Sequence, residues 1–259
     1  MKALEFYNAL TELIPTTLSC SWDKDGLEAC PAPDREVCRI LIALDVTDDV
    51  VERAIEGGYG VILSHHPVFF GHLDGVSFVK PKGAIAVKLA KNDISVMSFH
   101  TRLDAVDGGV NDTLAALLGL KNVEKVEADA DGIMRIGDLE CEMDVEEYCR
   151  MVKSALSTEK SEAAITLSPI GKKVKKVALI GGGGGGYVAM AKDAGADTYV
   201  TGEMKYHEYL SAEEFGINLV TAGHFHTEYP VCKVLAAKAK DLCPSALVTV
   251  YDSNEMKSF

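Results

Sequence analysis

The sequence predicts an α/β protein of two similar domains, with the C-terminal strand returning to the first. Three observations carry this expectation. Short, β-branched apolar runs recur at 40–46, 61–63, 94–99, 177–180 and 219–221, the pattern of buried strands. Segments with helical periodicity alternate with them, which is how parallel sheets are connected. The chain has 259 residues, 47% of them hydrophobic, enough for two modest cores without disulfides.

In order along the chain, Leu4, Leu10, Leu13 and Ile14 follow a helical period that Pro15 ends. Residues 20–34 read as loop and contain the only tryptophan, Trp22. Strand 40–46 leads to Thr47-Asp48-Asp49, which caps a helix closed by Gly57-Gly58, and strand 61–63 completes a βαβ unit. A loop over 67–82, a helix through Ile85 and Leu89, strand 94–99 and a helix over 109–118 follow. The second block has strands at 133–136, 164–167, 177–180, 198–200 and 219–221, with helices over 145–156 and 188–194. Pro230 opens a helix to Leu242, and 246–250 supplies the last strand. The expected division is 1–125 with 230–259 as the first domain and 126–229 as the second, joined near the acidic segment 124–131.

Composition excludes several classes. The net charge is −13, and the longest basic cluster is Lys172-Lys173-Val174-Lys175-Lys176, which argues against a duplex nucleic-acid partner. Seven cysteines without a C-x-x-C pair fit reduced thiols rather than disulfides or a cysteine zinc site. No stretch reaches the ~18 apolar residues of a membrane span, and the N-terminal residues lack a signal-peptide core, so the expected location is cytoplasmic with no membrane contact.

The chemistry-bearing residues gather at strand ends. His65-His66 closes the run 61–64, His100 and Asp104 follow strand 94–99, and His224 and Glu228 follow strand 219–221. Ligands collect beyond the carboxyl ends of strands in open α/β sheets. Buried imidazoles need hydrogen bonds or a metal for both ring nitrogens. Asp104 lies four residues after His100, and Glu228 four after His224, so a helical turn would put each pair on one face. His65, His66, His100, Asp104, His224 and Glu228 therefore form a candidate ligand set, sufficient for two divalent ions with one bridging carboxylate. A mixed His/carboxylate shell accepts Zn, Fe, Mn, Co or Ni. His72 is assigned no role, and His226 is either a support to the ligands or solvent-facing.

Glu203 ends the strand at 198–200, with His207 four residues on. The pair is the candidate for proton transfer or for orienting a ligand, against the plain alternative of a helix-start acid and its neighbour. The run Gly181–Gly186 satisfies G-x-G-x-x-G only trivially. A loop whose amides approach an anion, or a tight structural connection, accounts for it better than dinucleotide binding.

Six motifs appear in order: Leu44-Asp45-Val46-Thr47, Ser64-His65-His66-Pro67, His100-Thr101-Arg102-Leu103-Asp104, Gly108-Gly109-Val110-Asn111-Asp112, Thr201-Gly202-Glu203-Met204-Lys205-Tyr206-His207-Glu208 and Gly223-His224-Phe225-His226-Thr227-Glu228. Together they resemble the NGG-interacting-factor-three-like family, often labelled type two GTP cyclohydrolase I. The resemblance implies two α/β domains, a dinuclear metal centre and a toroidal homohexamer. It matches His65, His66, Asp104, His224 and Glu228 to the family's ligand motifs and leaves His100 as a neighbour or additional ligand. Lys24 and Arg102 depart from the family pattern, where asparagine is usual at both positions. The expected function is a metal-dependent hydrolase acting on a small anionic, nucleotide-like substrate. The alternative is a non-enzymatic metal-binding protein or chaperone, or a ring-shaped interaction scaffold.

Overall fold

A computed structural model describes residues 1–71, 73, 75–254 and 256, with the side chain of Ala212 set aside. His72 lies outside the described residues. The chain divides into two compact units, Met1–Leu103 with Val231–Ser253, and Asp104–Pro230 with the described residues from Asn254 onward.

The first unit opens with helix α1 (Ala3–Leu13), which buries Ala3, Phe6 and Leu10. Strand β1 (Leu27–Ala29) falls inside the segment expected to be loop, because it is a three-residue edge strand paired antiparallel to a later strand. Strand β2 (Arg39–Ala43), helix α2 (Asp48–Glu56) and strand β3 (Val61–Ser64) form the expected βαβ unit. Thr47 caps α2 by accepting from Val50 N, and Asp48 and Asp49 meet the positive end of the helix dipole. Helix α3 (Pro81–Lys91) and strand β4 (Ser95–Ser98) follow. Helix α4 (Thr101–Ala105) contains the point of division.

The second unit continues with helix α5 (Val110–Leu117), strands β5 (Lys121–Lys125) and β6 (Arg135–Met143), helix α6 (Val145–Leu156), and strands β7 (Thr166–Ser168) and β8 (Val174–Gly183). Helix α7 (Val188–Asp193), strand β9 (Thr198–Glu203), helix α8 (Tyr206–Phe215), strand β10 (Asn218–Thr221) and helix α9 (His224–Glu228) complete it. The chain then returns to the first unit with helix α10 (Val231–Leu242) and strand β11 (Leu247–Val250).

The first sheet runs β1-β4-β3-β2-β11, so the C-terminal strand returns to the first sheet as expected, and it pairs parallel to β2. Its strands are buried on both sides. Leu41, Ala43, Ile62 and Val96 pack with α2 and α3, while the alternate residues Ile40, Ile42, Leu63 and Met97 are buried on the other face. The second sheet runs β5-β6-β8-β9-β10-β7 and has the same period-two division. Val177, Leu179 and Val200 meet α5 and α6 on one face, and Ala178, Ile180 and Tyr199 meet α7 on the other. No described helix is long and apolar enough to cross a membrane.

The division after Leu103 differs from the expected junction near 124–131. The cause is packing: Leu114, Ala115 and Leu118 of the segment around α5 enter the core of the second sheet, and β5 pairs with β6. Arg135, fully buried in β6, adds an ion pair of 2.6 Å from its Nε to Asp112 Oδ1. The lysines 175 and 176 are part of β8 itself, with both backbone amides donating to the Asp197 carboxylate.

Candidate metal centre

Strand register explains how the first unit gathers its functional side chains. β2, β3 and β4 are parallel, with Ala43 paired to Ser64 and Ser64 to Ser98. Asp45, His66 and His100 therefore each lie two residues beyond the last paired position, at the same carboxyl edge. His65 precedes His66 and is fully buried. Ring centroids are separated by 4.8 Å for His65–His66, 5.2 Å for His65–His100 and 5.5 Å for His66–His100. The three imidazoles offer nitrogen atoms that all lie within 4.8 Å of one another, a grouping that could hold a metal ion.

Each ring is anchored through Nδ1. His65 Nδ1 lies 2.9 Å from Phe99 O, His66 Nδ1 2.8 Å from Asp45 Oδ1, and His100 Nδ1 3.0 Å from Asp23 Oδ2. An oxygen acceptor at Nδ1 makes that nitrogen the proton carrier and sets the lone pair on Nε2, the tautomer of a metal ligand. Asp23 is held tightly in turn: its Oδ2 also accepts from Thr101 N at 3.0 Å and Thr101 Oγ1 at 2.6 Å. Burial pushes the Asp23 carboxyl up, but the hydrogen bonds from His100 and Thr101 outweigh it and hold it below the ordinary carboxylate range. The site's own supports thus keep it ionised.

The second unit repeats the arrangement. Parallel pairing of Thr201 with Thr221 puts Glu203 and Gly223 two residues past the paired ends of β9 and β10. Gly223 takes φ +85°, a conformation that favours glycine, and turns the chain into α9. One turn of α9 then places His224 and Glu228 together, as the i,i+4 spacing predicts, with His224 Nε2 3.1 Å from Glu228 Oε2. His224 Nδ1 lies 3.0 Å from Glu203 Oε1, so Glu203 stands to His224 as Asp45 does to His66. Glu228 is buried, and Asp104 is half-buried on α4 with its carbonyl accepting from Asn111 Nδ2 at 3.2 Å.

The glycine run packs closely against this His–Glu pair. Gly182 has φ +67°, and a Cβ there would collide with the Glu228 carboxylate and approach His224 Nε2. The amides of Gly181, Gly182 and Gly184 donate to Asn111 Oδ1, Thr227 Oγ1 and Thr201 Oγ1 at 2.8, 3.0 and 3.0 Å. Those three amides are committed within the unit rather than arrayed toward a phosphate, which favours a tight structural connection for this part of the run.

The remaining sequence candidates separate. His207 is exposed on α8, and no described hydrogen bond or ion pair ties its imidazole to Glu203 or His224. His226 is buried, with Nε2 3.0 Å from Ser161 Oγ, which gives it a role in packing rather than at a solvent-facing position. Arg102 is fully buried: its Nε donates to Asp25 Oδ2 at 2.7 Å, and its terminal nitrogens donate to Ile14 O and Ser98 O, each at 3.2 Å. It is a framework residue beneath His100, whose backbone amide donates to the same Asp25 oxygen at 2.9 Å. Sequence reasoning assigned no role to Asp23 and Asp45. The rule that found the histidines, a polar residue just past a buried strand, would have found Asp45 as well.

Imidazoles with oxygen-anchored Nδ1 atoms, accompanied by carboxylates, fit a borderline divalent cation. Removing an anchor tests this directly: Asp45→Asn or Asp23→Asn is expected to weaken divalent-metal affinity by about 10- to 100-fold, measured by competition with a chelating dye.

His224 also forms part of the wall of a cavity of about 630 Å³ within the second unit, with Lys153, Lys160, Ser161, His226 and Asn254.

Taken together, the strand ends define an α/β protein of two units whose histidine clusters have the donor chemistry of metal sites. Among known proteins, the family described as Duf34/NIF3 (NGG1p interacting factor 3) matches residues 1–257. The chain belongs to this family. It is 35% identical over 247 residues to a Clostridium perfringens protein named GTP cyclohydrolase 1 type 2 homolog, covering 93% of this chain and 92% of the relative. It is 30% identical to NGG1-interacting factor 3 of Saccharomyces cerevisiae, covering 80% of this chain and 79% of that protein. The fold matches a hypothetical protein of Staphylococcus aureus with a TM-score of 0.88 at 28% identity, covering 100% of this chain and 99% of the other. A Bacillus cereus protein related to NIF3 shares the fold with a TM-score of 0.89 at 24% identity, covering 99% and 98% of the two chains.

Proposed function

We propose that the chain is a dinuclear-metal protein acting as a metal-dependent hydrolase on a small anionic, nucleotide-like substrate. The ligands we assign are His65, His66, His100, Asp104, His224 and Glu228. The observation that carries this reading is the anchoring of His65, His66, His100 and His224 by an oxygen at Nδ1. Packing alone does not require one tautomer in four rings at three strand ends.

Two divalent cations, when bound, supply Lewis-acid polarisation and lower the pKa of water. The chain's own residues do the rest. Asp23 and Asp45 fix the direction of the imidazoles. Glu203, exposed beside His224, is placed to pass a proton between solvent and the reacting group, and His207 is the proposed solvent-side partner. The net charge of −13 repels an anionic substrate, so bound cations must supply the local attraction at the His224 cavity, where Lys153 is already paired with Glu162. Its volume, about 630 Å³, falls in the ordinary range for small-molecule sites. The name carried by bacterial relatives makes GTP the first substrate to assay. A toroidal homohexamer, the assembly expected from the family resemblance, is checked by light scattering.

The test is turnover of GTP, other nucleotides and phosphoesters by metal-loaded protein. Activity that falls by at least about 100-fold in Asp104→Asn and falls in Glu203→Gln supports the hydrolase. Bound metal with no turnover across the panel assigns the chain to metal storage or transfer instead.

A further inference from the structure

Two aromatic side chains stand over His100 in the first unit and are left facing solvent. Trp22 is 59% exposed and Phe70 63% exposed. Their ring centroids lie 6.3 Å apart at 75°, and each is 5.9 Å from the His100 ring, Trp22 at 77° and Phe70 at 90°. Isolated exposed aromatics are common, and Tyr206 is of that kind. A near-perpendicular pair packed on one imidazole of a histidine triad is a different arrangement. In such an edge-to-face contact one ring presents its rim to the face of the other, and the exposure of both leaves π-surface open to solvent.

The geometry points to a stacking site: Trp22 and Phe70 form a two-walled platform beside the histidine triad that takes a planar conjugated ring, such as a purine or pterin-like heterocycle, of an anionic substrate, stacked on one aromatic face and met edge-on by the other. This rests on the metal-dependent reading above and adds to it the shape of the substrate. The supporting structure is rigid where it needs to be. Asp23, next to Trp22, is tied to His100 and Thr101, and Phe70 follows Phe69, whose amide donates to Glu28 Oε2 at 2.7 Å, as Val68 N does to Glu28 Oε1 at 2.9 Å. Lys24, exposed two residues beyond Trp22, adds a cation at the same loop for an anionic substituent. Stacking tolerates any flat ring, so the platform selects a class rather than one base.

Trp22 is the only tryptophan of the chain, so its emission reports on this site alone. The experiment titrates the full-length protein with GMP and with ribose 5-phosphate, which carries the same phosphate without the ring. GMP is expected to quench Trp22 saturably and ribose 5-phosphate to leave it unchanged. Phe70→Ala is expected to weaken GMP binding about tenfold, a typical loss for one stacking partner, at unchanged metal content by elemental analysis. Calorimetry on Trp22→Leu gives the same comparison without the fluorophore. Equal quenching by both probes, no quenching by GMP, or affinity unaltered in Phe70→Ala overturns the platform. Saturable GMP quenching by protein that never takes up metal would keep the platform and remove the metal reading, so the two fail separately.

Discussion

Replacing Arg102 with alanine is expected to destabilise the protein by about 3–5 kcal/mol, the cost of leaving a buried charge without its partner. The Arg102 and Asp25 side chains are 0% and 3% exposed, so solvent does little to compensate. The guanidinium serves three acceptors at once, Asp25 Oδ2, Ile14 O and Ser98 O, and lies over the Phe99 ring with Cζ 4.2 Å from its centroid. Arg102→Lys keeps the charge but not the planar fork, and it should recover only a minor part of the loss. Thermal unfolding reads the effect as a midpoint lowered by roughly 10 °C for alanine. Because Asp25 also accepts from the His100 amide, the alanine variant should bind metal more weakly even where it remains folded. A midpoint within a degree or two of the parent would show that Asp25 finds another partner and that the pair is not structural.

The second large effect belongs to Gly182. Alanine there takes on a left-handed backbone at about 1–2 kcal/mol and pushes a methyl into the Glu228 carboxylate. The chain must give way at Glu228, since Gly182 N is already bonded to Thr227 Oγ1 and the neighbouring Gly181 amide to Asn111. Metal affinity is expected to fall by about 10- to 100-fold, as for other changes that displace a ligand or its support. Gly186→Ala is the control. A Cβ at Gly186 meets nothing within 4 Å, so stability and metal affinity should stay at parental values. Equal effects at both positions would mean that the run acts through flexibility rather than close approach.

Much of the fold was legible because its information is local. The βαβ unit of β2, α2 and β3 announced itself through an apolar run, a Thr47 cap and a glycine stop, and helix α6 falls at the expected 145–156. The elements missed are those whose sequence does not repeat a burial pattern. β5 reads Lys-Asn-Val-Glu-Lys because it is an edge strand, and charges on edge strands discourage pairing with other chains. β6 carries Asp138, Glu140 and Glu142 along its exposed outer half, which hid all but its start. Helix α8 leaves Tyr206, Leu210 and Phe215 exposed, so no apolar stripe marks it.

The candidate site was legible for a related reason. Ligand-type residues just past a parallel strand can be counted from sequence, and His65, His66 and His100 meet as expected, as do Glu203, His224 and Glu228. What holds His100 was not legible. Asp23, which fixes His100, comes from a loop 77 residues earlier, and no periodicity predicts that pairing. Arg102, a departure from the family pattern to which the sequence assigns no role, belongs to the framework through its ion pair with Asp25.

The most direct test of the central claim is metal content by elemental analysis after loading with zinc or manganese and removal of excess ion. Parental protein is expected to hold about two divalent ions per chain, and the joint variant His65→Ala, His66→Ala, His224→Ala to hold none. Parental protein that stays free of metal, or a joint variant that binds as much, would contradict the account.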